Sequence, residues 1–325
     1  MTKRASMFLT GPGVVREVTG EEVDGEALGG PRVHERNGVC QVVVDGDLDA
    51  AWMARDLLDY LPQHEGVRPY RWPTADAAPD EPDAFVPDED RKVYDVRDVA
   101  RTVVDGGRML ELNERWARNV VTAYARIDGR AVGIVANQPK YLGGALNSDA
   151  ASKAARFVNS CDAFGLPLVV LVDTPGFLPG RGQEAGGIIR HGAKLVHAFA
   201  AASVPRVTLV LRKAFGGAFI AMNSRELGAD LVLAWPQAQM GVMGAKQAVD
   251  LVHRREIADD EDPAGARDRF TDQYAAKHLT AVSAAEEGVI DEIVAPSATR
   301  ARLMGALRTL STPDRPVRPA RNIPL

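Results

Sequence analysis

The sequence is short of most of the residues from which catalysts are usually built. Its 325 residues include two cysteines, Cys40 and Cys161. They lie far apart and match neither a disulfide framework nor a zinc-ligand spacing, so two buried thiols in a reducing compartment are expected. The six histidines form no H-x-x-x-H or H-E-x-x-H pair. There is no G-x-S-x-G nucleophile elbow and no GxxxxGK[ST] phosphate loop. Positive charge is not in excess: the formal net charge is -5, which argues against a nucleic-acid partner. Long apolar runs are missing too. Leu166–Val172 is among the longest, far too short to span a bilayer. The start, MTKRASMFLTGPG, has no apolar core before a cleavage site. The expectation is a cytoplasmic protein with no membrane partner. With 46% apolar and 26% charged residues, the composition is that of a globular protein. The length allows one large domain or two smaller ones.

Proline and acidic residues gather at 62–95, in PQHEGVRPYRWPTADAAPDEPDAFVPDED and just beyond. Proline fixes φ and removes a donor, so this stretch predicts a linker or an extended surface arm. It separates a short piece, 1–61, from a long one, 96–325. In the short piece, Thr10–Glu17 predicts a helix and Gln41–Val44 a strand. Leu48–Leu61 predicts an amphipathic helix with Leu48, Trp52, Leu57, Leu58 and Leu61 on its stripe. So little β content makes a poor independent core, and the piece reads as part of something larger. In the long piece, strands predicted at Arg130–Ala136, Leu166–Asp173, Val207–Leu211, Ala229–Trp235 and Val289–Val294 alternate with helices. The helices fall at Ser148–Phe164, Gly187–Ala201 and Ala245–Arg255. Strands that are apolar throughout, each followed by a helix, indicate an α/β fold with mostly parallel pairing and both sheet faces covered.

Glycine follows the predicted strands. It appears in Asp173-Thr174-Pro175-Gly176-Phe177, at Gly180 and Gly182, in Gly186-Gly187 and Gly216-Gly217-Ala218, and at Gly241 and Gly244. Sites of α/β proteins gather at strand C-termini. The Gly216-Gly217-Ala218 turn carries most information, because it joins a strand to a helix. The first helical N–H groups have no intrahelical acceptor, and small residues let a ligand approach them. Such donors make an oxyanion hole, each worth about 2.7–4 kcal/mol of barrier. A tight turn serving close helix–strand packing is the other reading, and local sequence leaves both open.

Three long segments occur in order: NSDAASKAARFVNSCDAFGLPLVVLVDTPGFLPG, GIIRHGAKLVHAFAAASVPRVTLVLRKAFGGAFIAM and LVLAWPQAQMGVMGAKQAV. Together they closely resemble the carboxyltransferase (β) subunit of biotin-dependent acyl-CoA carboxylases of the acetyl- and propionyl-CoA type. The resemblance covers essentially the whole chain, from MFLTGPGVVREVTGEEVDGEALGG to the closing NIPL.

That resemblance implies a crotonase-like (ClpP/crotonase) ββα superhelix of two related lobes, with active sites between lobes of dimer partners. It implies transfer of CO2 from N1 of carboxybiotin to the α-carbon of a short-chain acyl-CoA. Biotin would ride on a separate carrier, beside a biotin carboxylase subunit, and no metal would be needed in this chain. After losing CO2 the biotin itself removes the α-proton, so the enzyme need only position the reactants and stabilise two enolates. The hole for the biotin carbonyl maps onto the N–H groups of Gly217 and Ala218. A position that helps choose acyl length falls on Ile220, which leans toward acetyl-CoA or mixed short-chain acceptors. Gly186, Gly187 and His191 match a segment beside the biotin pocket, where His191 either touches ligand or packs as a helix-capping histidine.

One departure stands out. The family's hole for the CoA thioester lies on a glycine pair preceding the MFLTGP segment, and here only six residues precede that segment. Gly29-Gly30 matches a later family segment and is no substitute. The expectation is therefore one complete C-lobe, 96–325, after a remnant of the N-lobe, 1–61, joined by the 62–95 linker. Activity would then need a complementary N-lobe polypeptide within a homo-oligomer. A non-catalytic carboxylase-like subunit and a crotonase-type malonyl-thioester decarboxylase are the alternatives.

Overall fold

The computed structural model describes residues 1–64, 67–78, 82–87, 89 and 92–310. The closing NIPL segment and the end of the expected C-lobe lie outside the described residues, as do parts of the proline-rich stretch.

The first piece is helical: α1 (Pro12–Thr19), α2 (Gly25–Gly29), α3 (Pro31–Asn37) and α4 (Asp47–Tyr60). The expected strand at Gln41–Val44 does not form. Only Val44 pairs, in one isolated bridge to Thr2. The amphipathic helix does form, as α4, but most of its stripe faces outward. Leu48, Trp52 and Leu58 are exposed, while Leu57 and Leu61 pack against the core.

The described parts of the proline-rich stretch lie against the rest of the molecule. The Trp72 N–H donates to the Gly129 carbonyl at 2.8 Å, and Pro82 and Val86 are buried.

After it come α5 (Val96–Val103), β1 (Met109–Leu112), β2 (Val120–Ile127), β3 (Arg130–Asn137), α6 (Ser148–Ala163), β4 (Leu168–Thr174), α7 (Arg181–Ala185), α8 (Ile188–Ala201) and β5 (Arg206–Phe215). The chain continues with α9 (Gly216–Ala221), β6 (Leu231–Ala234), β7 (Gln239–Gly241), α10 (Ala245–Val252), α11 (Arg254–Asp259), α12 (Pro263–His278), α13 (Ala281–Glu286), β8 (Glu292–Ile293) and α14 (Thr299–Leu310). The single helix expected at Ala245–Arg255 is two, α10 and α11, parted at His253. The last expected strand shortens to β8.

The strands form one sheet in the order β1-β2-β3-β4-β5-β6-β8, with β7 also on β5. Pairing is antiparallel from β1 to β3 and parallel from β3 onward. Both faces are covered, which explains the unbroken apolar run of β4. Leu168, Val170 and Val172 face the core with Ala154 and Val158 of α6 and Leu195 and Phe199 of α8. Val169 and Leu171 face a second core with Val99 and Val103 of α5 and Leu303 and Leu307 of α14. Cys161 and Cys40 are both buried thiols. Lys153, 2% exposed in α6, donates to the carbonyls of Asn113, Trp116 and Val120 at 3.0, 3.0 and 2.7 Å and so pins the turn before β2. Burial pulls its pKa down to about 8. No helix among the described residues is long and apolar enough to cross a membrane.

Candidate functional site

The site is built at the C-terminal ends of β4 and β5 and the start of α8. Beyond β4 the chain turns at Pro175 and Gly176, and the Gly176 N–H returns to Thr174 Oγ1 at 3.3 Å. Leu146 holds the next residues. Its N–H donates to the Gly176 carbonyl at 3.1 Å, and its carbonyl accepts the Leu178 N–H at 2.7 Å. Phe177 is thereby fixed with its ring against two helices. A Cβ on Gly192 of α8 would stand 3.2 Å from the ring, and one on Gly217 of α9 would stand 3.9 Å from it.

The pairing of β5 with β4 shifts register near its end, as at a bulge. Val172 pairs with Val210, but Thr174 pairs with Ala214. β5 therefore carries two extra residues just before the glycine turn. Gly216 then takes a left-handed φ of 61°, a conformation other residues reach only with strain. α9 starts from the extended residue Phe215, with no side chain capping its first N–H groups. Those amides have no intrahelical acceptor. Gly217 is exposed and Ala218 buried. Gly217 and Ile220, three residues apart, share the open face of α9, where Ile220 is 47% exposed. The structure thus brings Gly217, Ala218 and Ile220 together on one helix. Beside them Val242 is largely exposed, its carbonyl 3.1 Å from where a Gly216 Cβ would stand.

Gly186 and Gly187 sit at the start of α8, which packs beside α9. Gly187 is its left-handed N-cap. His191, one turn on, is half-buried. Arg190 Nη2 approaches its Nε2 at 3.3 Å, which makes Nε2 the acceptor and leaves the proton on Nδ1. Nδ1 lies 2.8 Å from Ser152 Oγ of α6. Burial, with Lys194 and Arg190 nearby, holds its pKa below the ordinary histidine value. His191 is thus a neutral ring tied to α6.

Sequence reasoning gave no role to Asp173, Arg212 or Phe177. Asp173 and Arg212 form a buried ion pair with Nε to Oδ2 at 3.1 Å. The readable signal was an arginine inside the apolar run Leu209–Phe215, since a buried arginine needs a partner. Among the described residues, no three His, Cys, Asp or Glu side chains gather to hold a metal ion.

The doubly covered sheet is that of a crotonase-like α/β fold, which comparison with known proteins supports. The chain belongs to the carboxyl transferase domain family, which matches residues 1–323. It is 46% identical to the methylmalonyl-CoA carboxyltransferase 12S subunit of Propionibacterium freudenreichii subsp. shermanii, over 99% of this chain and 62% of that one. It is 47% identical to a biotin-dependent acetyl-/propionyl-coenzyme A carboxylase beta6 subunit of Mycobacterium tuberculosis, over 94% of this chain and 65% of the relative. Among solved structures it superposes on a transcarboxylase 12S crystal structure, described as a hexamer with methylmalonyl-coenzyme A and methylmalonic acid bound. The TM-score is 0.94 at 45% identity, covering 100% of this chain and 64% of that one. The chain spans less than two thirds of the length of these relatives.

Proposed function

We propose that this chain is the carboxyltransferase component of a biotin-dependent acyl-CoA carboxylase, with acetyl- or propionyl-CoA as acceptor. The observation that carries the reading is the uncapped start of α9, where the amides of Gly217 and Ala218 share a helix with Ile220. A pair of neutral, fixed N–H donors suits an oxygen that gains negative charge during reaction. Carboxybiotin, on a separate carrier, supplies the carboxyl group and the base for the α-proton. The chain's own part is to hold. Gly217 and Ala218 donate to the developing oxyanion. Ile220 borders the acyl group. Gly186, Gly187 and neutral His191 flank the biotin side.

We read 1–61 as the closing part of one lobe, 62–95 as an arm, and 96–325 as a second lobe. A further polypeptide segment completes the first lobe. Supporting this are the exposed side chains of Leu9, Val18, Leu48, Trp52 and Leu58. A cavity of about 680 Å³ between α4, β1 and α6 adds to it, lined by Met53, Leu57, Leu110 and Phe157 among others. Exposed apolar surface on this scale marks an interaction face. The exposed side chains of Ile189, Ile220 and Val242 are the matching argument for a homo-oligomer that closes the site.

The test is a carboxylation assay with biotinylated carrier, biotin carboxylase, bicarbonate, ATP and acetyl- or propionyl-CoA, run with and without a complementary N-lobe. Carboxylated product only with the N-lobe present is expected. Turnover by the isolated chain would refute the need for it. No turnover in the full assembly would refute the function, and decarboxylation of malonyl-CoA without a carrier would favour the decarboxylase.

A further inference from the structure

Arg212 lies in β5, 5% exposed, within a sheet covered on both faces. A charge in such a place must be paired and fully hydrogen-bonded. Its Nε donates to Asp173 Oδ2 at 3.1 Å. Its Nη1 donates to the carbonyls of Pro87, Glu89 and Lys92 at 3.4, 3.2 and 2.9 Å. Asp173, 1% exposed, sits at the end of β4. Its Oδ1 accepts the Lys213 N–H at 3.2 Å. Its own N–H donates to Asn137 Oδ1 at 3.3 Å. Asp173 therefore ties β4 to β3 through its backbone N–H and to the backbone and side chain of β5 through its carboxylate, and the arginine ties all of them to the arm.

The place of this knot matters. The extra residues of β5 fall between Val210 and Ala214, so Arg212 and the Lys213 N–H are inside the bulge itself. A bulge bends its strand and re-aims the residues beyond it. In β5 those residues are Phe215, Gly216 and, one step on, the uncapped amides of α9.

We propose that Asp173 and Arg212 are positioning residues that set the aim of the Gly217 and Ala218 amides by clamping the β5 bulge. Through Arg212 that aim is also coupled to the arm at Pro87, Glu89 and Lys92. The proposal rests on the reading of those amides as oxyanion donors. Neither side chain touches the reacting atoms. An oxyanion donor works through its fixed direction, and a displacement of about 1 Å can cost about 100-fold in rate.

Two variants test it. Arg212→Lys keeps the charge but loses the planar fork that serves one carboxylate and three carbonyls at once. Asp173→Asn keeps an oxygen for the Lys213 N–H but loses the ionic partner. In the full assembly each is expected to lower kcat by about 100-fold with KM unchanged, the pattern of an interaction made in the transition state. In the isolated chain, amide hydrogen exchange is expected to accelerate at Met222 and Ser224, whose N–H groups close α9 by bonding the Ala218 and Ile220 carbonyls at 3.0 and 3.3 Å, while β2 and β3 keep their protection. Unchanged exchange at Met222 and Ser224 in the folded variants would overturn the proposal. So would exchange that rises equally across β2, β3 and β4, which would make the pair a general support of the sheet. If Asp173→Asn does not fold, Arg212→Lys decides alone. Local acceleration in a protein whose full wild-type assembly transfers no carboxyl group would leave the clamp standing and refute the proposed reaction instead.

Discussion

The Phe177 ring lies against the Cα of Gly192 so closely that a Cβ there would stand 3.2 Å from the ring edge. Gly192 is an ordinary helical residue of α8, so an alanine is strained only by that ring. Gly192→Ala must push Phe177 by a few tenths of an ångström, toward the side where Gly217 lies. Overpacking of this kind costs about 1–3 kcal/mol. The expected result is a lower urea midpoint with unchanged slope, and a fall in turnover larger than the stability loss explains. Wild-type turnover with a lower midpoint would show that the ring moves away from α9.

Gly217→Pro removes one proposed donor with little change elsewhere. Proline is tolerated in the first turn of a helix, where the N–H has no intrahelical acceptor. The melting temperature should change little, while kcat in the full assembly should fall by about 10²–10³. Retained activity would refute the role assigned to the Gly217 amide.

The parallel half of the sheet was readable because β4 and β5 are buried on both faces and therefore apolar throughout. The hairpin before it has a sequence signal of its own. Asp128-Gly129 sits between two apolar runs, and both residues take left-handed φ, at 55° and 71°, as a two-residue hairpin turn demands. That dipeptide implies β2 along with β3, whereas the apolar run alone pointed to β3. The stripe of α4 was readable as a helix but not as exposed, because burial of Leu48, Trp52 and Leu58 depends on a surface that α4 itself does not supply. The bulge at Arg212 is a relation between two strands, and a single run of residues does not encode its partner's register. Gly217, Ala218 and Ile220 were legible as one cluster because a single helical turn joins them. Their link to Asp173 was not.

Ile220→Asp tests the acceptor assignment. Ile220 is 47% exposed on the open face of α9, so the substitution strands no charge in the core. If Ile220 borders the acyl chain, the ratio of kcat/KM for acetyl-CoA over propionyl-CoA should fall. A contact that senses one methylene is worth about 1–3 kcal/mol, so the shift should reach about 10-fold or more. Initial rates with both thioesters measure it. An unchanged ratio would remove Ile220 from the acyl pocket.

Asp128 predicts the acid limb of stability. Its side chain is 1% exposed and accepts from Arg308 Nε and Nη2, both at 2.8 Å, from Thr74 Oγ1 at 2.9 Å and from Arg71 Nη2 at 2.5 Å. These bonds, Arg308's foremost, hold its pKa at about 2, below the ordinary 3.8. A carboxyl with a lowered pKa in the folded state adds stability that is fully present above 3.8. That stability fades as pH falls through about 2, because the unfolded chain binds the proton first. Asp128→Asn keeps the turn, since Asn-Gly suits it as well as Asp-Gly, and removes the charge together with one of the two acceptor oxygens. The variant should melt below the wild type at neutral pH, and the gap should close as pH falls from about 4 to about 2. A gap constant over that window would mean that shape, and not ionisation, ties the arm and α14 to the β2–β3 turn.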